Sequence, residues 1–123
     1  MSAPTAVNEY DAITAVAQHY IDGARAGKSD LMKPAFHSLA TITGYLGPDL
    51  IAGPIQILYD FVDQNPPATT VEVRLASLDI TGTTASLRLE IDDWGGHRFT
   101  DYWTLVKIDG AWQVLSKVFH LHP

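Results

Sequence analysis

The apolar positions of this chain repeat with two different periods, and the change falls near its middle. Tyr10, Ile13, Val16, Ala17, Tyr20, Ile21 and Ala24 recur at steps of three and four, which sets them on one face of a helix. Asn8 stands ahead of that face as an N-cap, with Asp11 at the capping-box position. Gly27 follows its end, where a left-handed glycine closes a helix. Asp30 caps a second, short helix over 31–36, with Pro34 in its first turn. A strand is predicted over 40–46 and a turn at Gly47 and Pro48. Gly53 and Pro54 then open a third helix, since proline in the first turn loses no needed hydrogen bond. Its apolar face is Ile55, Ile57, Leu58, Phe61 and Val62, and Asn65, Pro66 and Pro67 stop it.

From there the period becomes two, the signature of half-buried strands. Val71, Val73 and Leu75 alternate with Glu72 and Arg74, and Ala85, Leu87, Leu89 and Ile91 with Ser86, Arg88 and Glu90. Two further runs, 99–108 and 112–121, are joined by Asp109 and Gly110, a strong hairpin signal. Without a bulge, that turn sets Phe99 opposite His120, Asp101 opposite Val118, Trp103 opposite Ser116 and Leu105 opposite Val114. All of these share one face, with Lys107 and Trp112 at its turn end. The other face carries Tyr102, Thr104, Val106, Leu115, Lys117 and Phe119, a mixed surface suited to contact with a second copy. The pattern predicts one α+β domain over residues 1–123, helices against a curved sheet, with residues 1–7 flexible.

Composition narrows the partners. A chain of 123 residues with 46% hydrophobic and 18% charged positions holds one packed core and no second domain. The net charge is −6, and the eight Lys and Arg are scattered singly, which argues against nucleic acid and against an anionic membrane surface. The absence of cysteine removes thiolate nucleophiles, disulfides and Cys-based zinc sites. No apolar run approaches the roughly 18 residues of a membrane span, and the first residues do not read as a secretory signal, so the expected compartment is the cytoplasm.

The order helix, helix, strand, helix and long strands, ending in FTDYWTLVKIDGAWQVLSKVFH, resembles the nuclear transport factor 2-like superfamily. Within it the chain is most similar to the putative lumazine-binding proteins, through AFH at 35–37, GY at 44–45, TDYWTLVKIDGAW at 100–112 and KVFH at 117–120. The resemblance implies a cone, in which a bent sheet wraps a long helix around a pocket. It implies no single activity, because this scaffold hosts isomerases, dehydratases, cyclases and transport adaptors. Against the ketosteroid isomerase branch, Tyr20 falls at the position of an oxyanion-hole tyrosine and Asp101 at that of the oxyanion-hole acid. The position of the general base falls on Gly44, so the donors are present and the base is absent.

Candidate chemistry therefore centres on Asp101, a carboxylate among apolar neighbours that must find hydrogen bonds or stay protonated. With Tyr20 it could donate to a carbonyl or enolate oxygen; the alternative is a structural bond from helix to sheet. His37 is the candidate replacement base. Tyr45, Trp103 and His120 complete the expected ligand-binding set, with Trp103 and Tyr45 as stacking surfaces and Trp112 a weaker one. His97, His120 and His122 share a face, but no carboxylate accompanies them, and no metal is expected. Gly95 and Gly96 read as a strand connection. No cofactor is expected. The leading function is binding of a small organic molecule in a largely apolar pocket. The alternatives are a cofactor-free isomerase, dehydratase or cyclase acting next to a carbonyl, and a solid homodimeric interaction module.

Overall fold

The computed structural model describes residues 6–123. Helix α1 (Ala6–Ala26) leads through two 3₁₀ turns (Ser29–Leu31 and Lys33–Ala35) to strands β1 (Phe36–Leu46) and β2 (Asp49–Pro54). Helix α2 (Gln56–Gln64) follows, then β3 (Glu72–Thr81), β4 (Thr84–Trp94), β5 (His97–Ile108) and β6 (Ala111–Leu121). The six strands form one open sheet in the order β2-β1-β6-β5-β4-β3. Strand β1 runs parallel to β6, and the other neighbours are antiparallel. This is the expected α+β cone. Among the described residues no helix is long and apolar enough to cross a membrane. The flexibility expected of 1–5 lies outside the described residues, while residues 6 and 7 belong to α1.

Helix α1 buries Ile13, Ala17, Tyr20 and Ala24, the stripe its sequence sets out. Gly27 ends it with φ 65°. There the Lys28 N–H donates to the Gly23 carbonyl (3.0 Å) and the Gly27 N–H to that of Ala24 (3.3 Å), the paired bonds that satisfy a helix C-terminus. The start differs from expectation. The helix begins at Ala6, which leaves Asn8 and Asp11 inside the first turns rather than at the cap and the capping box. Glu9 instead accepts from Lys107 Nζ (2.7 Å) and Trp112 Nε1 (2.8 Å), fastening α1 to the turn end of the β5–β6 hairpin. The Lys107 bond, helped by that of Trp112 and opposed by burial, holds the Glu9 carboxyl below the usual glutamate value.

The helix expected over 31–36 is absent. Met32 N–H bonds the Ser29 carbonyl (2.9 Å) and Ala35 N–H that of Met32 (3.0 Å), a tighter winding that suits short pieces. Phe36 is already extended and begins β1. Asp30 pairs with Lys33 at 2.9 Å instead of capping. Strand β2, which the sequence did not announce, is a sheet edge paired to β1 from Thr41↔Pro54 to Leu46↔Asp49. An edge tolerates proline, so Pro54 closes a strand, and Ile55 is the cap of α2.

The consequential departure lies in the last hairpin. Asp109 and Gly110 form the predicted two-residue turn, both at positive φ (50° and 83°), and Leu105 faces Val114 as expected. The register then shifts, because Thr104 faces Ser116 and Leu115 is an extra residue on β6. Such a bulge bends a strand and reverses the facing of everything beyond it. Trp103 therefore faces Lys117, Asp101 faces Phe119 and Phe99 faces Leu121. Lys117 and Phe119 turn inward and are buried, while Val118 and His120 turn out to the surface.

Candidate functional site

The inner face of the sheet carries a cluster of rings around Tyr20. Its ring stands edge-on to Trp103 at 5.0 Å between centroids, and Trp94 lies at 5.5 Å. Phe36 closes the far side, 5.5 Å from Trp103. Aromatic pairs in such tilted and edge-to-face arrangements add to their burial energy, so α1 is held to the sheet at the depth where Asp101 lies.

Asp101 is fully buried, and Lys117 is 4% exposed. Their side chains form an ion pair, Lys117 Nζ to Asp101 Oδ2, at 2.9 Å. Trp103 Nε1 donates to the same oxygen at 3.1 Å. Asp101 Oδ1 has no hydrogen-bond partner among the described residues. Asp101 thus accepts from Trp103 and pairs with Lys117 through the same oxygen. The ammonium of Lys117 also lies over two rings, 5.1 Å from the centre of Phe119 and 5.6 Å from that of Tyr20, a cation–π arrangement. Asp101 is its one charged partner among the described residues. Burial, reinforced by the charge of Asp101, pushes the Tyr20 hydroxyl well above the usual tyrosine value, so it remains an O–H donor.

Lys117 and Tyr20 open onto a cavity of about 90 Å³. Ile42, Leu58, Trp94 and Phe119 surround them as a buried floor, and Leu46, Ile51, Ile57, Phe61 and Phe99 form a partly exposed rim. The cavity lies between the sheet, the α1 tyrosine and the inner side of α2. Apart from the Tyr20 hydroxyl and the Lys117 ammonium, every side chain lining it is apolar or an indole.

The sequence-derived candidates divide sharply. Tyr20 and Asp101 are brought together. Trp103 is fully buried behind them and serves as the donor that fixes Asp101, not as a cavity wall. Tyr45 is 59% exposed on the outer face, next to its strand partner His120, which is also exposed. Neither reaches the cavity. His37 sits at the start of β1, where its Nδ1 accepts from the Leu39 N–H at 3.0 Å, away from the lining. His120 and His122 stand ring to ring at 4.8 Å, with His122 Nε2 held 2.8 Å from Thr100 Oγ1, while His97 packs on Phe99. Among the described residues no three such ligands gather into a metal site. Trp112 is engaged by Glu9.

Lys117 is the functional candidate that sequence reasoning missed. Strict alternation puts it outside, and the signal for the bulge is only the adjacent apolar pair Val114 and Leu115. The position of the missing base also has a steric cause. A Cβ on Gly44 would lie 2.7 Å from Phe119 Cγ and against the Phe119 carbonyl, so β1 and β6 approach too closely there for any carboxylate.

A family model described as "Putative lumazine-binding" matches residues 8–120, and the chain belongs to that family. It is 37% identical over 117 residues, 94% of each chain, to a protein named Aldolase FrzH from Cladobotryum sp. It is 43% identical, with a TM-score of 0.93 over 98% of this chain and 99% of the other, to an NTF2-like protein of unknown function from Shewanella baltica OS155. A second NTF2-like protein of unknown function, from Methylobacillus flagellatus KT, matches at 42% identity and TM-score 0.94, over 100% and 99% of the two chains.

A buried pair is costly to break from one side, because the survivor is left as an unpaired charge. Asp101→Asn and Lys117→Met should each cost roughly 3–5 kcal/mol. The double variant should cost less than the sum of the two. Urea unfolding of all four proteins measures this, and strictly additive costs would contradict the pairing.

Proposed function

We propose that this member of the lumazine-binding-type family binds a small, largely apolar organic molecule whose acceptor oxygen is taken by Lys117 and Tyr20. One observation carries the reading: a buried ammonium, with Asp101 as its one charged partner among the described residues, stands in the wall of an otherwise apolar cavity. Few, well-placed polar groups among apolar walls are the usual make-up of small-molecule sites, and donors in so dry a place bind more strongly than in water. The same lining argues against a pteridine. A lumazine ring carries several nitrogens and oxygens, and Lys117 and Tyr20 could pair only part of them. Each one buried unpaired costs about 1–3 kcal/mol.

Catalysis next to a carbonyl is the second reading, and the similarity to a protein named as an aldolase favours it. Two donors on a carbonyl oxygen stabilise the enolate that isomerisation, aldol closure and elimination can share. No base for such a step stands in the lining, since Asp101, His37 and His120 all lie outside it. No cofactor enters this scheme.

We also infer a homodimer through the outer sheet face. Tyr102, Val118, Tyr45 and Leu50 are 55%, 45%, 59% and 56% exposed. Strand pairing sets Tyr102 beside Val118 and Tyr45 beside Leu50, an apolar stripe of the kind a second copy covers.

Thermal shifts against simple ketones and phenols test the first reading. A ligand at 100 times its dissociation constant should add about 2.7 kcal/mol of apparent stability, and Tyr20→Phe and Lys117→Met should each weaken binding about tenfold or more. Shifts that survive both substitutions would sink the assignment. Catalysis is read by deuterium exchange next to the carbonyl of a bound ketone, followed by NMR: exchange lost in Lys117→Met supports it, and exchange no faster than in buffer rejects it. Light scattering should give a dimer for the wild type and a monomer for Tyr102→Lys; a monomeric wild type would refute the interface.

A further inference from the structure

The pairing of Lys117 with Asp101 has a consequence for which oxygen the site accepts. The two charges sum to zero, and Lys117 is the one charged residue in the lining among the described residues. Tyr20 is neutral, because its hydroxyl holds its proton. A carboxylate seated on Lys117 would put a second anion next to the buried Asp101 with one cation to share, and a buried charge without its own partner is strongly disfavoured. A ketone, aldehyde or lactam oxygen adds no charge and still takes the free N–H and O–H donors.

Resting on the binding-site reading above, we propose that the cavity selects uncharged carbonyl compounds and rejects the carboxylates of the same shape. Asp101 is the positioning residue that sets this preference. It cancels the charge of Lys117 without consuming its remaining donors, and it lies behind the lysine, outside the lining. Trp103 supports it by donating to the oxygen that holds the lysine, which fixes the carboxylate in place. The lining sets the rest of the molecule. The cavity, open on one side and about 90 Å³ in volume, is smaller than the roughly 150 Å³ of an engineered cavity that takes benzene. The carbonyl and its nearest carbons therefore fill the floor, and an apolar remainder, a ring or a short chain, extends between Ile57 and Phe61 at the rim.

Three probes with the same number of heavy atoms separate the terms: acetophenone, benzoate and cumene. Dissociation constants are measured by calorimetry, with thermal shift beside it. For the wild type, acetophenone should bind about tenfold or more tighter than both others. In Asp101→Asn the lysine charge is uncancelled, and the order should reverse, with benzoate the tightest. In the double variant Asp101→Asn/Lys117→Met both charges are gone and Tyr20 alone still donates, so the advantage of acetophenone over cumene should fall about tenfold or more. If Asp101→Asn does not fold, the double variant decides: a ketone advantage over the hydrocarbon cut about tenfold or more supports the proposal, and an undiminished advantage overturns it. Benzoate binding the wild type as tightly as acetophenone would overturn the charge selection and leave the binding site standing. Failure of all three probes to bind the wild type would instead overturn the site itself, and the proposal with it.

Discussion

Asp101 and Lys117 meet at 2.9 Å, the first fully buried and the second nearly so, and much of the inner architecture is arranged to keep them there. Taking two ions out of water costs several kcal/mol each, and their attraction offsets that cost only when geometry and further hydrogen bonds are good. Trp103 supplies one such bond, and the Tyr20 and Phe119 rings lie under the ammonium. The balance is still incomplete. Asp101 Oδ1 makes no hydrogen bond among the described residues, and Lys117 has Asp101 as its one charged partner there. A hydrophobic pair of similar volume would fill the same space at lower cost, so an under-satisfied ion pair beside a cavity supports the ligand-binding reading proposed above.

The fold delivers those groups from separate parts of the chain. Tyr20 comes from α1, whose depth is set by the rings of Trp94, Trp103 and Phe36 and whose start is tied through Glu9 to the far hairpin. Lys117 comes from β6, and only because Leu115 is a bulge residue does it face inward. The rim comes from β1, β2, α2 and the start of β5. Helix α2 is held by Asp63, which accepts from the Ser29 N–H and hydroxyl at 2.9 and 2.7 Å. Members of a scaffold this widely reused can differ in chemistry while sharing all of this framework, and the polar floor is where such differences are written.

The sequence discloses the parts of this picture that rest on local periodicity. The α1 stripe, the Gly27 stop, the Asp109–Gly110 turn and the alternation of β4 are all visible from spacing alone. Tyr20, Asp101 and Trp103 are recognisable because one lies on the α1 stripe and the other two on an inward strand face before the bulge. What the spacing hides is long-range or costs only a residue. The extra Leu115 flips Lys117 and Phe119 inward and Val118 and His120 outward, yet it leaves no mark beyond two neighbouring apolar residues. Strand β2 is short, contains Gly53 and Pro54, and forms only because β1 offers an edge. The turns at 29–35 read as a helix because Asp30 and Pro34 imitate its start; Asp30's partner Lys33 and the extended Phe36 are tertiary facts. Tyr45 and His120 look like binding residues by type, and the pleat of β1 and the shifted register of β6 carry them to the outside.

The central claim is that the Lys117 ammonium is the group a ligand oxygen meets, and side-chain NMR of lysine nitrogen tests it most directly. The chain has four lysines, Lys28, Lys33, Lys107 and Lys117, so each signal can be assigned by single substitution. With acetophenone added to saturation, the account predicts a large shift of the Lys117 Nζ resonance and little change at the other three. A bound ketone that leaves Lys117 unmoved, or that shifts the surface lysines equally, would contradict it.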